Sequence, residues 1–285
     1  MENQTTLNPS LGSAMNRRKK TIIVCGVLLA GIIGIFVAAM FISDEAVAPD
    51  FANKGLLPSL KYPFGTDWLG RNMLLRTIKG LSLSITVGVV ASSVSAIIAT
   101  LIGIIAATGS KWMDSAINWF IDLVMGIPHL VLLILIAFAC GRGLKGLLIG
   151  IAVTHWTSLA RIIRAEVLQI RSQQYITISR KLGHSSGWIL LRHILPHVIA
   201  QFVVGLVLLF PHAILHESAL SFLGYGLPPE QPAIGIILSE SMKYLTGGMW
   251  WLAFFPGAML VAVVILFDAL GDNLKTLFDP YSAQE

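Results

Sequence analysis

Long apolar runs without charge dominate this chain and leave few folds open to it. The first run, residues 21–43, holds 23 residues and no Asp, Glu, Lys or Arg. A helix needs about 20 apolar residues to cross the hydrocarbon core of a bilayer. Within lipid every backbone N–H and C=O must be bonded inside the protein, so such a run folds as an α-helix. The run therefore predicts a membrane-spanning helix.

Five more apolar runs follow the first one along the chain. They cover residues 81–108, 117–139, 144–163, 197–222 and 249–270. Charged residues make up only 12% of the chain, whereas soluble domains carry about 25%, so a soluble core does not explain the runs. We therefore predict an all-α integral membrane protein with six transmembrane helices.

A basic cluster, Arg17-Arg18-Lys19-Lys20, sets the predicted orientation. Lys and Arg are enriched on the cytoplasmic side of a membrane, so the N-terminal tail (1–20) is expected in the cytoplasm. Six spans then return the C-terminal tail (272–285) to the same side. A cleaved signal peptide is the alternative, but the run at 21–43 is much longer than a signal-peptide core of about 7–15 residues. We favour a multi-pass protein with a retained anchor.

The remaining segments divide the chain further. Residues 44–80 form a predicted extracytoplasmic loop, and residues 81–271 form the predicted core domain, which carries a cytoplasmic loop at 164–196. Prolines recur in 44–80 and again in 223–248, so both stretches are expected to be irregular loops on the outer face.

The cytoplasmic loop contains a basic stretch, residues 171–196, with four Lys or Arg and no acidic residue. Two apolar triplets have helical spacing, namely Tyr175, Ile178 and Leu182, then Trp188, Leu191 and Leu195. Gly183 interrupts the pattern, and Pro196 is expected to stop the second helix. The stretch predicts two short helices on the inner membrane surface. They either bind anionic lipid or dock a cytoplasmic partner, and a nucleic-acid partner is not expected because both ends enter the bilayer.

Ionisable residues inside the predicted spans are candidate functional groups, since they are costly in lipid and tend to face a bundle interior. His212 and His216 lie four residues apart on one helix face, with Glu217 one step round. Two imidazoles and a carboxylate suit a transition metal, and hydrogen bonds between helices are the competing role. Asp122 is expected to pair with a neighbouring helix. His129 shows no comparable constellation.

Several motifs together resemble one family. Gly183 followed by Leu195-Pro196 is similar to the coupling-loop signature of permease subunits of bacterial ABC importers. The peptide/nickel branch of that family also has residues similar to Tyr175, Arg180, Arg192, His193, Asp114, Asp122, Pro128, Glu217 and the stretch Gly65-Thr66-Asp67. Thr177 departs from the pattern, because the family usually has an acidic residue there.

The resemblance implies a type I ABC importer permease fold, in which the loop between helices 4 and 5 is a coupling helix. It also implies a second homologous permease subunit, two cytoplasmic ATP-binding subunits and an extracytoplasmic substrate-binding protein. The chain lacks the G-x-x-x-x-G-K-[ST] phosphate-binding sequence. We therefore expect it to bind no cofactor and to be no enzyme, with ATP used by the partners in a prokaryotic cytoplasmic membrane.

The cargo prediction rests on the histidines. His212 and His216, with His155 in the fourth predicted helix, resemble the nickel-transporting members of the branch, so nickel or another metal, free or chelated, is the first prediction. Short peptides are the alternative cargo. A secondary transporter or channel driven by an ion gradient, with Asp122 and Glu217 as ion sites, is the rival from another class.

Overall fold

The structure is a computed structural model, which describes residues 10–278. Its helices are α1 (Ser10–Met40), α2 (Met73–Thr108), α3 (Lys111–Gly126), α4 (His129–Ala139), α5 (Leu144–Thr154), α6 (Trp156–Arg171), α7 (Gln174–Lys181), α8 (Ser186–Ile189), α9 (Leu195–Phe222), α10 (Ile234–Leu245) and α11 (Trp251–Phe278). Short 3-10 turns lie at Glu45–Val47 and Phe51–Asn53. Within the described residues the only β-type pairing is an isolated bridge between Thr66 and Asn72. The predicted all-α class is confirmed.

The long apolar helices agree with the predicted spans in number. Among the described residues, five are long and apolar enough to cross a membrane, and the pair α3 and α4 brings the number to six if it counts as one span. That pair is bent by 97°. The predicted helix over 117–139 is therefore interrupted rather than continuous. Pro128 explains the bend, because its ring forces Ile127 into an extended conformation, with ψ of 135°.

The ends of several elements differ from the predictions. α2 begins at Met73 rather than at residue 81, because the Asn72 side chain accepts from the N–H groups of Leu74 and Leu75 and caps the helix. The stretch 223–248 is not wholly irregular, since it contains α10. Both predicted tails are partly helical, since α1 begins at Ser10 and α11 ends at Phe278. Residues 1–9 and 279–285 of those tails lie outside the described residues.

Close helix contacts centre on α2, whose small residues let α6 and α9 approach. A Cβ atom added to Gly103 would lie 2.8 Å from the carbonyl oxygen of Ala160, and one added to Gly88 would lie 2.8 Å from the Phe210 ring. The hydroxyl of Ser95 donates to the carbonyl of Ala152 in α5 at 2.8 Å. Small residues and hydroxyl bonds of this kind hold helices together in lipid, where the hydrophobic effect gives no net attraction.

Ion pairs join α3 to α6. The guanidinium of Arg164 contacts Asp114 through two hydrogen bonds of 2.5 and 2.6 Å. Asp122 contacts Arg161, also on α6, which matches the pairing with a neighbouring helix expected for this carboxylate. The Asp122 side chain is 68% exposed, so it lies on the surface of this subunit rather than inside its bundle.

We predict that Gly103→Ala lowers the melting temperature of the purified protein in detergent. Alanine is the better helix former by about 1 kcal/mol, but overpacking costs about 1–3 kcal/mol, and a backbone oxygen cannot rotate away from the new methyl group. Gly31→Ala is the matched control, because a Cβ there meets nothing within 4 Å. Equal melting temperatures for the two variants would contradict the close approach of α2 and α6.

Candidate functional site

The basic stretch folds as two helical segments joined at a glycine. α7 ends in a glycine-terminated turn, in which the His184 N–H donates to the Ser179 carbonyl at 3.2 Å and the Gly183 N–H donates to the Arg180 carbonyl at 3.0 Å. Gly183 has φ of +88°, a conformation that costs any other residue type strain. Ser185 then caps α8 by accepting from the Trp188 N–H. The predicted break at Gly183 therefore has a direct structural cause.

Pro196 does not stop the second helix, contrary to the prediction. α8 continues through a π-helical turn, Leu190–Ile194, into α9, so that one helical rod covers Ser186–Phe222. In the wide turn the Leu195 N–H donates to the Leu190 carbonyl, five residues back. Pro196 lacks an N–H and its ring crowds the preceding turn. The widened turn directly before it lets the helix continue.

The two segments form a surface that faces away from the bundle and carries both apolar and basic side chains. Ile176, Ile189 and Ile194 are buried beneath them, whereas both predicted apolar triplets face outward except Leu195, which is half-buried. Leu182 is 73% exposed and Leu191 is 65% exposed. The exposed side chains of Arg180, Lys181 and Arg192 border this surface, and Thr177 is exposed beside them. We call residues 174–195 the coupling surface.

Aromatic rings tie the two halves of the coupling surface together across Gly183. His184 stacks on Trp188 with ring centroids 3.8 Å apart. His193 lies 5.2 Å from Trp188 and 5.5 Å from Tyr175 of α7. Such ring pairs add about 0.5–1.5 kcal/mol each beyond area burial. The coupling surface is therefore held in one shape although it projects from the bundle.

Three histidines meet where α4, α5 and α9 approach one another, and they differ from the predicted set; His155 is buried, and the other two are half-buried. His129, His155 and His216 each offer one ring nitrogen, and these nitrogens lie within 4.8 Å of one another. His212 is exposed and lies outside this group. The group therefore contains His216 of the predicted pair but not His212.

Glu217 also lies apart from the histidines, contrary to the predicted set. Its side chain is fully buried and accepts from the hydroxyl of Ser221 at 2.9 Å and from that of Ser218 at 3.2 Å. Ser221 in turn accepts from the Leu227 N–H, and Ser84 accepts from the Ile234 N–H at the start of α10. Glu217 thus belongs to a polar group that secures the end of α9 to the segment that follows it.

A second charged group lies where the 44–72 segment meets α10. Asp67 is fully buried and accepts from Arg71 Nε at 2.6 Å, and Arg76 Nη2 donates to Glu240 at 2.5 Å. Trp68 stacks on Tyr244 of α10 with centroids 4.4 Å apart. The sequence motif Gly65-Thr66-Asp67 showed Asp67 but not Glu240, because no local pattern links positions so far apart in the chain.

Comparison with known proteins identifies the family to which a chain of this architecture belongs. The model of the family described as "Binding-protein-dependent transport system inner membrane component" matches residues 99–281. The dipeptide transport system permease protein DppC of Bacillus subtilis (strain 168) is 33% identical over 250 residues, covering 86% of this chain and 78% of that protein. The protein of the same name from Alkalihalophilus pseudofirmus is 31% identical and covers 97% of this chain and 91% of its own length.

Solved structures share the fold. The MetNI methionine ABC transporter in an inward-facing conformation aligns with a TM-score of 0.59 at 16% identity, covering 72% of this chain and 97% of that one. An amino acid ABC transporter crystallised with histidines aligns with a TM-score of 0.55 at 18% identity, covering 69% and 91% of the two chains. At these identities the likeness concerns the fold alone.

The helical bundle and its projecting loop helices define a multi-pass permease subunit of the inner membrane. The chain belongs to the binding-protein-dependent transport system inner membrane component family, and its relatives place it in the peptide branch of ABC importer permeases. The resemblance and the type I importer fold inferred from the sequence are confirmed. Permease subunits of this family are not enzymes, and the ATPase is a separate subunit.

We predict that Glu240→Gln destabilises the contact between the 44–72 segment and α10. The change leaves the largely buried Arg76 guanidinium with one charged partner fewer, a loss of about 1–3 kcal/mol. Limited proteolysis of the 44–72 segment should proceed faster than in the unmodified protein. Glu45→Gln is the control, since Glu45 is exposed. Equal cleavage rates in the two variants would show that Glu240 does not anchor the segment.

Proposed function

We propose that this chain is the permease subunit of an ATP-driven importer that carries short peptides into a prokaryotic cell. The relatives support this cargo, since two of them, 31–33% identical to the chain, are dipeptide permeases. A putative peptide permease of Brucella suis biovar 1 (strain 1330) is 38% identical over 226 residues. The oligopeptide permease OppC of Bacillus subtilis is 31% identical over 258 residues.

Nickel as cargo, the first prediction from the sequence, has less support than peptides. It relied on His212 and His216 on one helix face with Glu217 nearby, together with His155. His155 and His216 do lie together, but His212 is exposed and Glu217 is bonded to serines. The relatives described above are peptide permeases. Peptide import is therefore the function that the observations favour.

The proposed assembly follows the family pattern. This chain pairs with a second homologous permease subunit, two cytoplasmic ATP-binding subunits dock below them, and an extracytoplasmic binding protein delivers the peptide. Both termini of the chain lie in the cytoplasm in this arrangement, with the basic cluster at Arg17–Lys20 on the inner side. The partners bind and hydrolyse ATP, and this chain binds no cofactor for that reaction.

The coupling surface supplies the docking site in this mechanism. Its outward apolar side chains, among them Leu182 and Leu191, lack partners in the described chain and fit an apolar cleft on an ATPase. Its exposed basic residues suit an acidic rim around such a cleft. Thr177 stands where the family usually has a carboxylate, so docking here depends on apolar contacts and on Arg180 rather than on a negative charge.

Motion at the coupling surface reaches the bundle through a rigid connection. The rod Ser186–Phe222 contains 37 residues and is about 55 Å long at 1.5 Å per residue. One end carries Trp188 in the coupling surface, and the other carries His216 and Glu217 in the bundle. Closure of the ATPase pair therefore tilts α9 as a lever and rearranges the helices that line the peptide path.

We predict that Gly183→Ala impairs coupling while Gly187→Ala does not. Both glycines have open space around a new Cβ, but only Gly183 has a positive φ, so only that change strains the turn, by about 1–2 kcal/mol. The measurement is co-purification with the ATPase subunits and peptide-stimulated ATP hydrolysis in vesicles. Several-fold losses are expected for Gly183→Ala. Equal behaviour of the two variants would remove the turn at Gly183 from the coupling mechanism.

The cargo assignment is tested by uptake into cells that lack other peptide importers and carry the complete transporter. Labelled di-, tri- and pentapeptides should accumulate in a manner that depends on this chain, and labelled Ni²⁺ given without peptide should not. Leu182→Asp serves as the inactive control, because it places a charge in the proposed ATPase contact. Uptake of Ni²⁺ without uptake of any peptide would overturn the peptide assignment.

A further inference from the structure

Three imidazoles meet inside the bundle from distant parts of the chain. The ring centroids of His129 and His155 are 4.6 Å apart, those of His129 and His216 are 4.6 Å apart, and those of His155 and His216 are 5.0 Å apart. The nearest ring nitrogens of all three lie within 4.8 Å of one another. A single ion bound at about 2.1 Å from each nitrogen fits between donors at this spacing after small side-chain adjustments.

Two contacts bear on the tautomer of His155. Its Nδ1 lies 3.1 Å from the Thr154 hydroxyl, which can donate or accept, and 3.0 Å from the Ile151 carbonyl oxygen, which can only accept, so we assign the proton to Nδ1. Nε2 therefore holds a lone pair. Metal-binding histidines commonly have this arrangement, in which the second ring nitrogen donates to a backbone carbonyl and orients the ring.

Two of the nitrogens lack any hydrogen-bond partner. Nε2 of His155 and Nε2 of His129 are both buried without one in the described residues. His155 is only 7% exposed, so water does not readily reach it. Buried polar atoms without partners are uncommon in native proteins, and a bound ion or an ordered water accounts for them. A bound cation would satisfy both nitrogens at once.

Breaks in the helices bring these histidines together. His129 opens α4 directly after the 97° bend, and His155 is the single residue between α5 and α6. His216 lies in α9 on the turn after Pro211, which is inside that helix. Irregular backbone at membrane depth is tolerated where it is buried in protein, which is how the two breaks at His129 and His155 come to lie beside His216 of the continuous helix α9.

We propose that His129, His155 and His216 form a binding site for a divalent transition-metal ion such as Zn²⁺, Co²⁺ or Ni²⁺. Three neutral imidazoles favour these ions over Mg²⁺ and Ca²⁺, which prefer oxygen donors. No carboxylate shares the site, because Glu217 is bonded to serines, so a fourth position stays open for water or another ligand. The site is distinct from the peptide cargo, and it does not depend on the proposed function.

Metal binding has a mechanical consequence. Its ligands belong to α4, to the junction of α5 and α6, and to α9, so the ion joins three elements that otherwise meet through side-chain packing. A ligand that binds only the folded protein stabilises it. The melting temperature of the transporter therefore rises when the metal is added, and it falls when a chelator removes the metal.

The test uses the complete transporter, purified with an affinity tag free of histidine and stripped with EDTA. Added Zn²⁺ is measured by mass spectrometry after gel filtration, and added Co²⁺ is followed by its visible absorption. Unmodified protein should retain one more ion per copy of this chain than the triple variant with His129→Gln, His155→Gln and His216→Gln. It should also show a Co²⁺ band that the triple variant lacks.

His212→Gln is the matched control, since that histidine is in the same helix but outside the site. It should keep both the extra ion and the rise in melting temperature. The single variant His155→Gln, checked for assembly with its partner subunits by gel filtration, should lose at least about tenfold in Zn²⁺ affinity. Equal ion content and equal Co²⁺ spectra in the unmodified and triple-variant transporters would overturn the proposal.

Discussion

Backbone hydrogen bonding in lipid is the constraint from which the rest of this structure follows. Each membrane segment must bond its own N–H and C=O groups, so the chain is helical almost wherever it is apolar. Departures from helix then need a specific cause and a protein environment. Pro128 bends α3 against α4, and Pro196 coincides with the π-helical turn at Leu190–Ile194. The bend and the widened turn of this subunit therefore both lie next to prolines that interrupt regular helix.

Close packing is the second consequence. Because lipid and leucine are equally apolar, helices associate through contact and hydrogen bonds rather than through release of water. α2 meets this requirement with Gly103, which meets the backbone of α6, and with Gly88, which meets the Phe210 ring of α9. α1 differs, since most of its apolar side chains face outward and only Ile32 is buried among the residues described for it. Helix α2 is therefore central in the bundle, and helix α1 is peripheral.

The sequence predicted the spans, the family and the break at Gly183, because each depends on local signals. Apolar length, a basic cluster and a glycine at the end of a short helix can all be recognised within a few residues. It did not predict the pairing of Glu240 with Arg76 or of His129 with His155, since the partners are far apart in the chain and their meeting depends on packing. The boundary at Met73 was missed because apolarity marks the membrane, whereas Asn72 marks where the helix begins.

The histidines show what a local spacing pattern can and cannot predict. Spacing of four residues placed His212 and His216 on one face, which is correct for a helix, but helix α9 is contacted on several sides by different neighbours. His216 lies beside His129 and His155 at the two breaks, while His212, one turn earlier, is exposed on the surface of this subunit. The rod Ser186–Phe222 links this histidine group to the coupling surface. The proposed ion and the proposed ATPase contact therefore involve one element, and under both proposals metal occupancy is coupled to transport through α9.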